Sequence, residues 1–212
     1  MATASQSLFN MTVASDNAGG NQGLLMPKLQ YRFRVNFLNF GIGPTVELTK
    51  QVIDVTRPQV SFQEINIPIY NSTLYLAGRH EWQALTVNLR DDAQGSVSKL
   101  IGQQLQKQLD FVEQASAATG QDYKFQTNIE ILDGGNGTSA PQVLETWECY
   151  GCFLQQANYN NLNYGTNEPV TIALTIRFDN AIQSPLTSGV GTNIGRILGG
   201  STVTGIGPGQ GS

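Results

Sequence analysis

Few side chains in this chain of 212 residues are of the kinds that carry out chemistry. General-base and nucleophilic catalysis needs a group that titrates near neutrality, and the one histidine is His80, inside the run Arg79-His80-Glu81-Trp82. A lone His at a strand edge reads as structural. Cys149-Tyr150-Gly151-Cys152 has CxxC spacing, but a tetrahedral zinc site needs four ligands, and neither a second cysteine pair nor a nearby histidine supplies them. In a strand, residues three apart point to opposite faces, so two reduced, partly buried thiols are expected. Asp91-Asp92 precedes a helical pattern, where acids favour the helix N-terminus more naturally than they pair on a metal. The glycine clusters Gly41-Ile42-Gly43, Gly134 to Gly137 and Gly189-Val190-Gly191 do not link a parallel strand to a helix, so they read as turns, not phosphate loops. The expectation is a protein with no catalytic residue, no metal and no cofactor: not an enzyme.

Composition points the same way. Charged residues are 13% of the chain, about half the usual share for a soluble domain, while 40% are hydrophobic. Asn and Gln outnumber the charged residues, so the polar surface is largely neutral. Interface cores are depleted in charge, and a chain this poor in charge is expected to be covered by neighbours. The net charge of −4 and the lack of any basic stripe argue against a nucleic-acid binder that clusters Lys and Arg. No apolar run reaches the ~18 residues of a membrane span, and the first residues lack a basic region followed by an apolar core; a soluble product of cytoplasmic synthesis without a membrane anchor is expected.

The elements that would position these residues show a period of two. Tyr31, Phe33, Val35 and Phe37 alternate with Arg32, Arg34 and Asn36. Leu85, Val87 and Leu89 do the same, as do Tyr123, Phe125, Ile129 and Ile131, and then Val170, Ile172, Leu174, Ile176 and Phe178. Such alternation marks half-buried antiparallel strands. A further strand is expected over 142–154, with Gly151 placed for a bulge. Between about 95 and 117, Val97, Leu100, Ile101, Leu105, Leu109 and Val112 recur at three and four, which predicts one amphipathic helix started by Asp92 or Ser96 and ended by Gly120. The segment 57–79 is apolar and extended, interrupted by Pro58 and Pro68, with a turn signal at Asn71-Ser72; it predicts a long projecting hairpin. The fold class is therefore mainly β, an antiparallel sandwich or half-barrel with one flanking helix. One domain over 1–212 is expected, with an N-terminal arm over 1–26 and a Gly/Ser/Thr-rich C-terminal arm over 183–212.

Several runs, in order, carry a resemblance: Arg57-Pro58, the Ile67 to Ser72 run, Tyr75 to Gly78, Trp82, Val87 to Asp92, and the Leu100 to Gln108 helix, followed by Trp147 to Gly165 and a last alternating strand. Together they resemble the tail tube (inner tube) proteins of contractile-tailed bacteriophages of the myovirus type. The resemblance covers about 28–181 and leaves the arms unmatched.

What it implies is a structural virion protein whose copies close into hexameric rings stacked as the inner tail tube, the conduit for DNA ejection inside a contractile sheath. The implied partners are further copies of the chain, the tail sheath, the baseplate, tape-measure and tail-terminator proteins, and genomic DNA passing through without sequence-specific binding. Assembly would take place in the host bacterial cytoplasm. The expected ring interface comprises Arg57, Pro58, Ile65, Ile67, Tyr70, Asn71, Leu74 and Tyr75. The expected bore lining is drawn from Gln126, Asn128 and Glu130, or Glu145 and Glu148, where neutral amides and a slight negative excess would let DNA slide. Two other readings fit the same residues: the tube of a type VI secretion or phage-derived injection particle, and a carbohydrate-binding β-sandwich using Trp82, Trp147 and the Tyr159 to Tyr164 run.

Overall fold

Alternation becomes strands, and their apolar face is covered by a long helix together with a short one that buries Leu48, where the sequence predicts a single flanking helix. The computed structural model describes residues 28–133, 141–184, 189–191, 196–198 and 201–203. Backbone contacts divide the chain into residues 1–32 and 33–212. Of the first unit only 28–32 is described, a turn in which Arg32 N donates to Leu29 O at 3.2 Å. Tyr31, expected on the inward face of the first strand, precedes that strand and is 72% exposed. The N-terminal arm over 1–26, the glycines Gly134 to Gly137 and most of the C-terminal arm lie outside the described residues.

The second unit runs β1 (Phe33–Leu38), α1 (Val46–Lys50), β2 (Val52–Val55), β3 (Val60–Ile69), β4 (Ser72–Trp82), β5 (Leu85–Arg90), α2 (Ser96–Gln108), β6 (Leu109–Asp110), β7 (Ala115–Ser116), α3 (Gly120–Tyr123), β8 (Phe125–Leu132), β9 (Val143–Asn158), β10 (Thr171–Arg177), β11 (Asn180–Ser184), β12 (Arg196–Leu198) and β13 (Ser201–Val203). The main sheet has the order β1-β8-β9-β10-β5-β2, antiparallel throughout, with β11 also on β9. This is the mainly β, open antiparallel architecture that the alternation predicts. The expected C-terminal arm starts later than 183, since Gln183 belongs to β11 and its N donates to Val190 O at 2.8 Å.

The inward face carries Val35, Phe37, Leu85, Val87, Leu89, Phe125, Ile129, Ile172, Leu174 and Ile176, all buried in one cluster. Phe40 stacks edge-on against Phe125 with centroids 4.9 Å apart. Each such side chain contributes ~1.5–3 kcal/mol by leaving water, so this face is the main stabilising element. α2 lies over it with Val97, Leu100, Ile101 and Gln104 buried. Its start sits at Gly95, and the Asp92 carboxylate accepts from Ser96 N at 2.7 Å while Asp91 accepts from Ser98 N at 3.4 Å, so both acids serve the helix end. These bonds hold the Asp92 carboxyl below its usual range.

The predicted helix over 95–117 is too long. α2 stops at Gln108, and Leu109 is already extended. Asp110 is the reason: its side chain accepts from Val112 N at 2.8 Å and Glu113 N at 3.3 Å, closing a turn that competes with further helix. Val112, expected on the apolar helix face, is 89% exposed at that turn, and Gly120 opens α3 instead of ending α2.

Two side-chain amides finish the job of the backbone. Gln104, fully buried, accepts from Gly41 N at 2.9 Å and donates to Tyr123 O at 2.7 Å. Gln108 donates to Leu154 O at 3.0 Å and accepts from Leu154 N at 2.9 Å. Leu154 lies in the half of β9 beyond the reach of β8, whose pairing ends at Phe125 opposite Cys152. The amide of Gln108 therefore stands where a strand's peptide unit would.

Gly151 forms the bulge expected of it. Thr127 faces Cys149 but Phe125 faces Cys152, so β9 carries an extra residue there. Gly151 has φ +66, and a Cβ on it would fall 2.2 Å from Asp179 Oδ2. On the other side of β9, β10 and β11 run end to end, and Asp179 N donates to Tyr150 O at 3.0 Å between them.

Candidate assembly surfaces

β3 and β4 pair only with each other, and no residue of β3 is buried. The turn falls at Tyr70-Asn71, one residue before the Asn71-Ser72 signal, with Tyr70 at φ +48. Register divides the ribbon into faces. Ile65 pairs with Leu76, Ile67 with Leu74 and Ile69 with Ser72, which gathers Ile65, Ile67, Ile69, Leu74 and Leu76 on one side. Asn66 opposite Tyr75 and Pro68 opposite Thr73 make the other side mixed and polar. All five aliphatic residues are exposed.

Nearer the sheet the pattern changes hands. Register shifts between Phe62 and Glu64, where Gly78 and Arg79 oppose Gln63, and a Cβ at Gly78 would lie 2.8 Å from Gln63 O, so the close approach requires glycine. Beyond this bulge Val60, Phe62, His80 and Trp82 share a side, and Trp82 enters the core against Phe178 at 5.6 Å between centroids. His80 stands between Phe62 and Trp82, at 6.4 Å from each. Its place is an aromatic row at the hairpin base.

Of the residues expected at a ring interface, the structure brings Ile65, Ile67 and Leu74 onto one exposed face and places Tyr70 and Asn71 at the exposed tip. Tyr75 is exposed on the opposite face. Arg57 is exposed at the hairpin base, whereas Pro58 is buried within the subunit. Ile69 and Leu76 share that face by register, as a period of two applied across the turn requires.

The outward face of the main sheet is polar and half-buried. Glu130 lies opposite Arg34, with Arg34 Nη2 at 2.5 Å and Asn36 Nδ2 at 3.1 Å from its carboxylate. Asn128 faces Asn36 on one side and Glu148 on the other, and Gln126 Nε2 donates to Asn128 Oδ1 at 2.9 Å. Tyr150 donates to Glu148, and that bond raises the phenol's pKa. Four expected lining residues, Gln126, Asn128, Glu130 and Glu148, therefore share one surface. Glu145 does not: it sits on the inward face at 4% exposure, accepting from Trp147 Nε1 at 2.8 Å and Gln183 Nε2 at 2.7 Å. Parity along β9 separates Glu145 from Glu148, which corrects their pairing as lining. Cations are interspersed with the acids, since Arg34 meets Glu130 and, at the other end, Arg177 meets Glu81 at 2.9 Å.

The cysteines also depart from the expectation of opposite faces. The extra residue at the Gly151 bulge resets the parity, so Cys149 and Cys152 both point inward and both are fully buried. Burial pushes both thiols up, Cys152 to about 11. Among the described residues no three His, Cys, Asp or Glu side chains gather as a metal site, and no helix is long and apolar enough to cross a membrane.

No family model and no curated protein matches the sequence. Solved structures do match the fold. A chain of the 6-fold symmetrised baseplate of the anti-feeding prophage aligns with a TM-score of 0.57 at 16% identity, covering 76% of this chain and 98% of that one. The tube-terminating cap of the same particle gives 0.56 at 13%, covering 83% and 100%. A chain of the sheath–tube complex of an extracellular contractile injection system in its extended state gives 0.51 at 15%, covering 77% and 95%. The chain thus shares the fold of subunits found in the tubes, caps and baseplates of contractile particles.

Proposed function

We infer that this chain is a structural subunit whose copies close into rings and stack as the inner tube of a contractile tail. The observation that carries this reading is the hairpin: five aliphatic side chains on one uncovered face of a two-stranded ribbon, an aggregation hazard for a monomer and a joint for an assembly. The likeness to chains of tube, cap and baseplate particles supports the same reading. The main sheet ends at β1 and β2. Joining such ends between copies removes raw sheet edges and closes a ring, here proposed as hexameric. The outward polar face then lines the bore, with Gln126, Asn128, Glu130 and Glu148 on it, the core face and α2 turning away from it.

In a phage tail the cargo is genomic DNA, and the ring stack lies within a sheath, between baseplate and terminator proteins. A bore of amides and paired charges holds phosphate less tightly than a Lys/Arg lining. A second reading, the tube of an injection particle, is favoured because the structural neighbours come from such particles. Neighbouring genes separate the two, a capsid or terminase gene marking a phage. In either case the subunit has a structural role and performs no catalysis.

Negative-stain microscopy of the purified chain at rising concentration tests the class. Rings or tubes are expected. A strict monomer at every concentration, even with sheath or baseplate present, refutes the reading.

A further inference from the structure

We propose that Glu130 keeps the bore from gripping a nucleic acid by holding Arg34, the one cation on the strands of the expected lining, in an ion pair that a passing phosphate must break. The inference rests on the reading of the polar face as a bore and deepens it, assigning to one residue the weak hold on phosphate that the face as a whole would have.

Gln126, Asn128, Glu130 and Glu148 lie on β8 and β9, which β1 and β11 flank. Across these four strands Arg34 is the only Lys, Arg or His. A guanidinium with free donors is well suited to grip a phosphate, because its fork matches two phosphate oxygens at once. In a ring it would recur once per copy, and a nucleic acid passing through would meet a circle of such groups, each adding to a salt-sensitive hold.

The geometry shows how that hold is prevented. Arg34 and Glu130 are direct partners in the antiparallel register, so the sheet itself sets the pair. Arg34 donates to Glu130 Oε2 from Nε at 2.8 Å and from Nη2 at 2.5 Å. The second carboxylate oxygen accepts from Asn36 Nδ2 at 3.1 Å, so the acid is held at both oxygens before any cargo arrives. Exposure is uneven: the Glu130 side chain is 14% exposed and that of Arg34 49%. The acid therefore lies beneath and the guanidinium above it, within reach of cargo but with its charge already matched. A pair this exposed contributes little to folding, and its effect is on what the face can bind.

Glu148 supplies the comparison. It is the other acid on this face, and it accepts from Tyr150. Its neighbours across the strands are Asn128 and Ile182, neither of them charged. Neutralising Glu148 changes the charge of the face by the same one unit as neutralising Glu130, yet it releases no cation. If repulsion by net charge alone governed the bore, the two changes would act alike.

Tubes of the full-length chain, verified by negative stain, are mixed at low salt with a short fluorescent DNA single strand and sedimented, and the DNA carried down is measured. Wild-type and Glu148→Gln tubes are expected to carry down little and to differ by less than about twofold, whereas Glu130→Gln tubes carry down at least about fivefold more, with the excess falling as salt rises. Adding Arg34→Gln to Glu130→Gln should abolish the gain. Exchanging the partners, Arg34→Glu with Glu130→Arg, keeps the pair and should keep retention at the wild-type level. If Glu130→Gln blocks assembly, Asn36→Ala makes the same comparison by removing the amide that holds the carboxylate, with a smaller gain expected. Equal retention by Glu130→Gln and Glu148→Gln tubes overturns the inference and leaves the tube reading standing, as does a gain that survives Arg34→Gln, a swapped pair that holds DNA, or the absence of any gain. A wild-type chain that forms no tubes removes the tube reading, and the inference with it.

Discussion

The main sheet and the hairpin obey the same period-two rule yet end in opposite states. In the sheet, the apolar half of each strand lies beneath α2 or against the facing strands, and its members are buried. In the hairpin the apolar half of each strand stays exposed among the described residues. Alternation thus specifies that a face must be covered without specifying by what. Where the chain supplies the cover the result is stability, and where it does not the result is an exposed face, the one proposed above for association.

Substitutions can break or sharpen that contrast. The largest effect on folding is expected at the core: Phe37→Ala should cost ~3–5 kcal/mol and lower Tm by roughly 6–20 °C, measured by thermal denaturation. Its counterpart, Ile65→Asp with Ile67→Asp in the hairpin, should abolish assembly while Tm stays within roughly 2 °C, because exposed substitutions barely touch stability. A hairpin variant that unfolds like the core variant, or one that still forms full-length tubes, breaks the contrast.

Thiol labelling sharpens it. A cysteine at position 67 should react with a maleimide at once, while Cys149 and Cys152 react roughly 100-fold more slowly or not at all until denaturant opens the sheet, as mass spectrometry would count. Next in size is Gly151→Ala, which forces a Cβ onto Asp179 at a positive φ; a loss of ~1–3 kcal/mol is expected in chemical denaturation. Gly78→Ala also meets backbone, at Gln63 O, but in the hairpin, so it should disturb assembly more than Tm. The smallest effect concerns acid. The carboxyl of Asp92 is held below 3.8 by its bonds to Ser96, so its contribution is present above that pH and fades as pH falls through the lower folded value. Asp92→Asn should be slightly less stable than wild type at pH 7, with the gap closing as pH falls below about 3.8; a gap that persists at the lowest pH would point to lost geometry instead of lost charge.

Most strands, the hairpin and the bulge at Gly151 were legible, because each depends on local alternation or on a glycine interrupting it. What escaped required knowing how the signal is interrupted. Opposite faces for Cys149 and Cys152 hold only in an unbroken strand, and the bulge at Gly151 shifts parity by one and brings both inside. The sequence offers Glu145 beside Glu148 on one strand as lining, and the partners that hold Glu145 inside, Trp147 and Gln183, come together only once β11 lies beside β9. The apolar spacing continues through Val112 beyond the end of α2, and the overriding local signal is Asp110, an acid able to bond the amides two and three residues ahead. Of the candidate surfaces, the membership of the hairpin face followed from register, whereas the buried state of Pro58 depended on packing that no local pattern records.

The amide of Gln108 on Leu154 carries a last consequence. A protein that polymerises must add copies at some backbone edges and refuse them at others, or its fibres branch and clump. The half of β9 that β8 does not reach is such an opening in the sheet, and one side chain occupies its donor and its acceptor together. Gln108 denies that peptide unit to an incoming strand, so Gln108→Leu should raise aggregation of the purified chain, as light scattering would register.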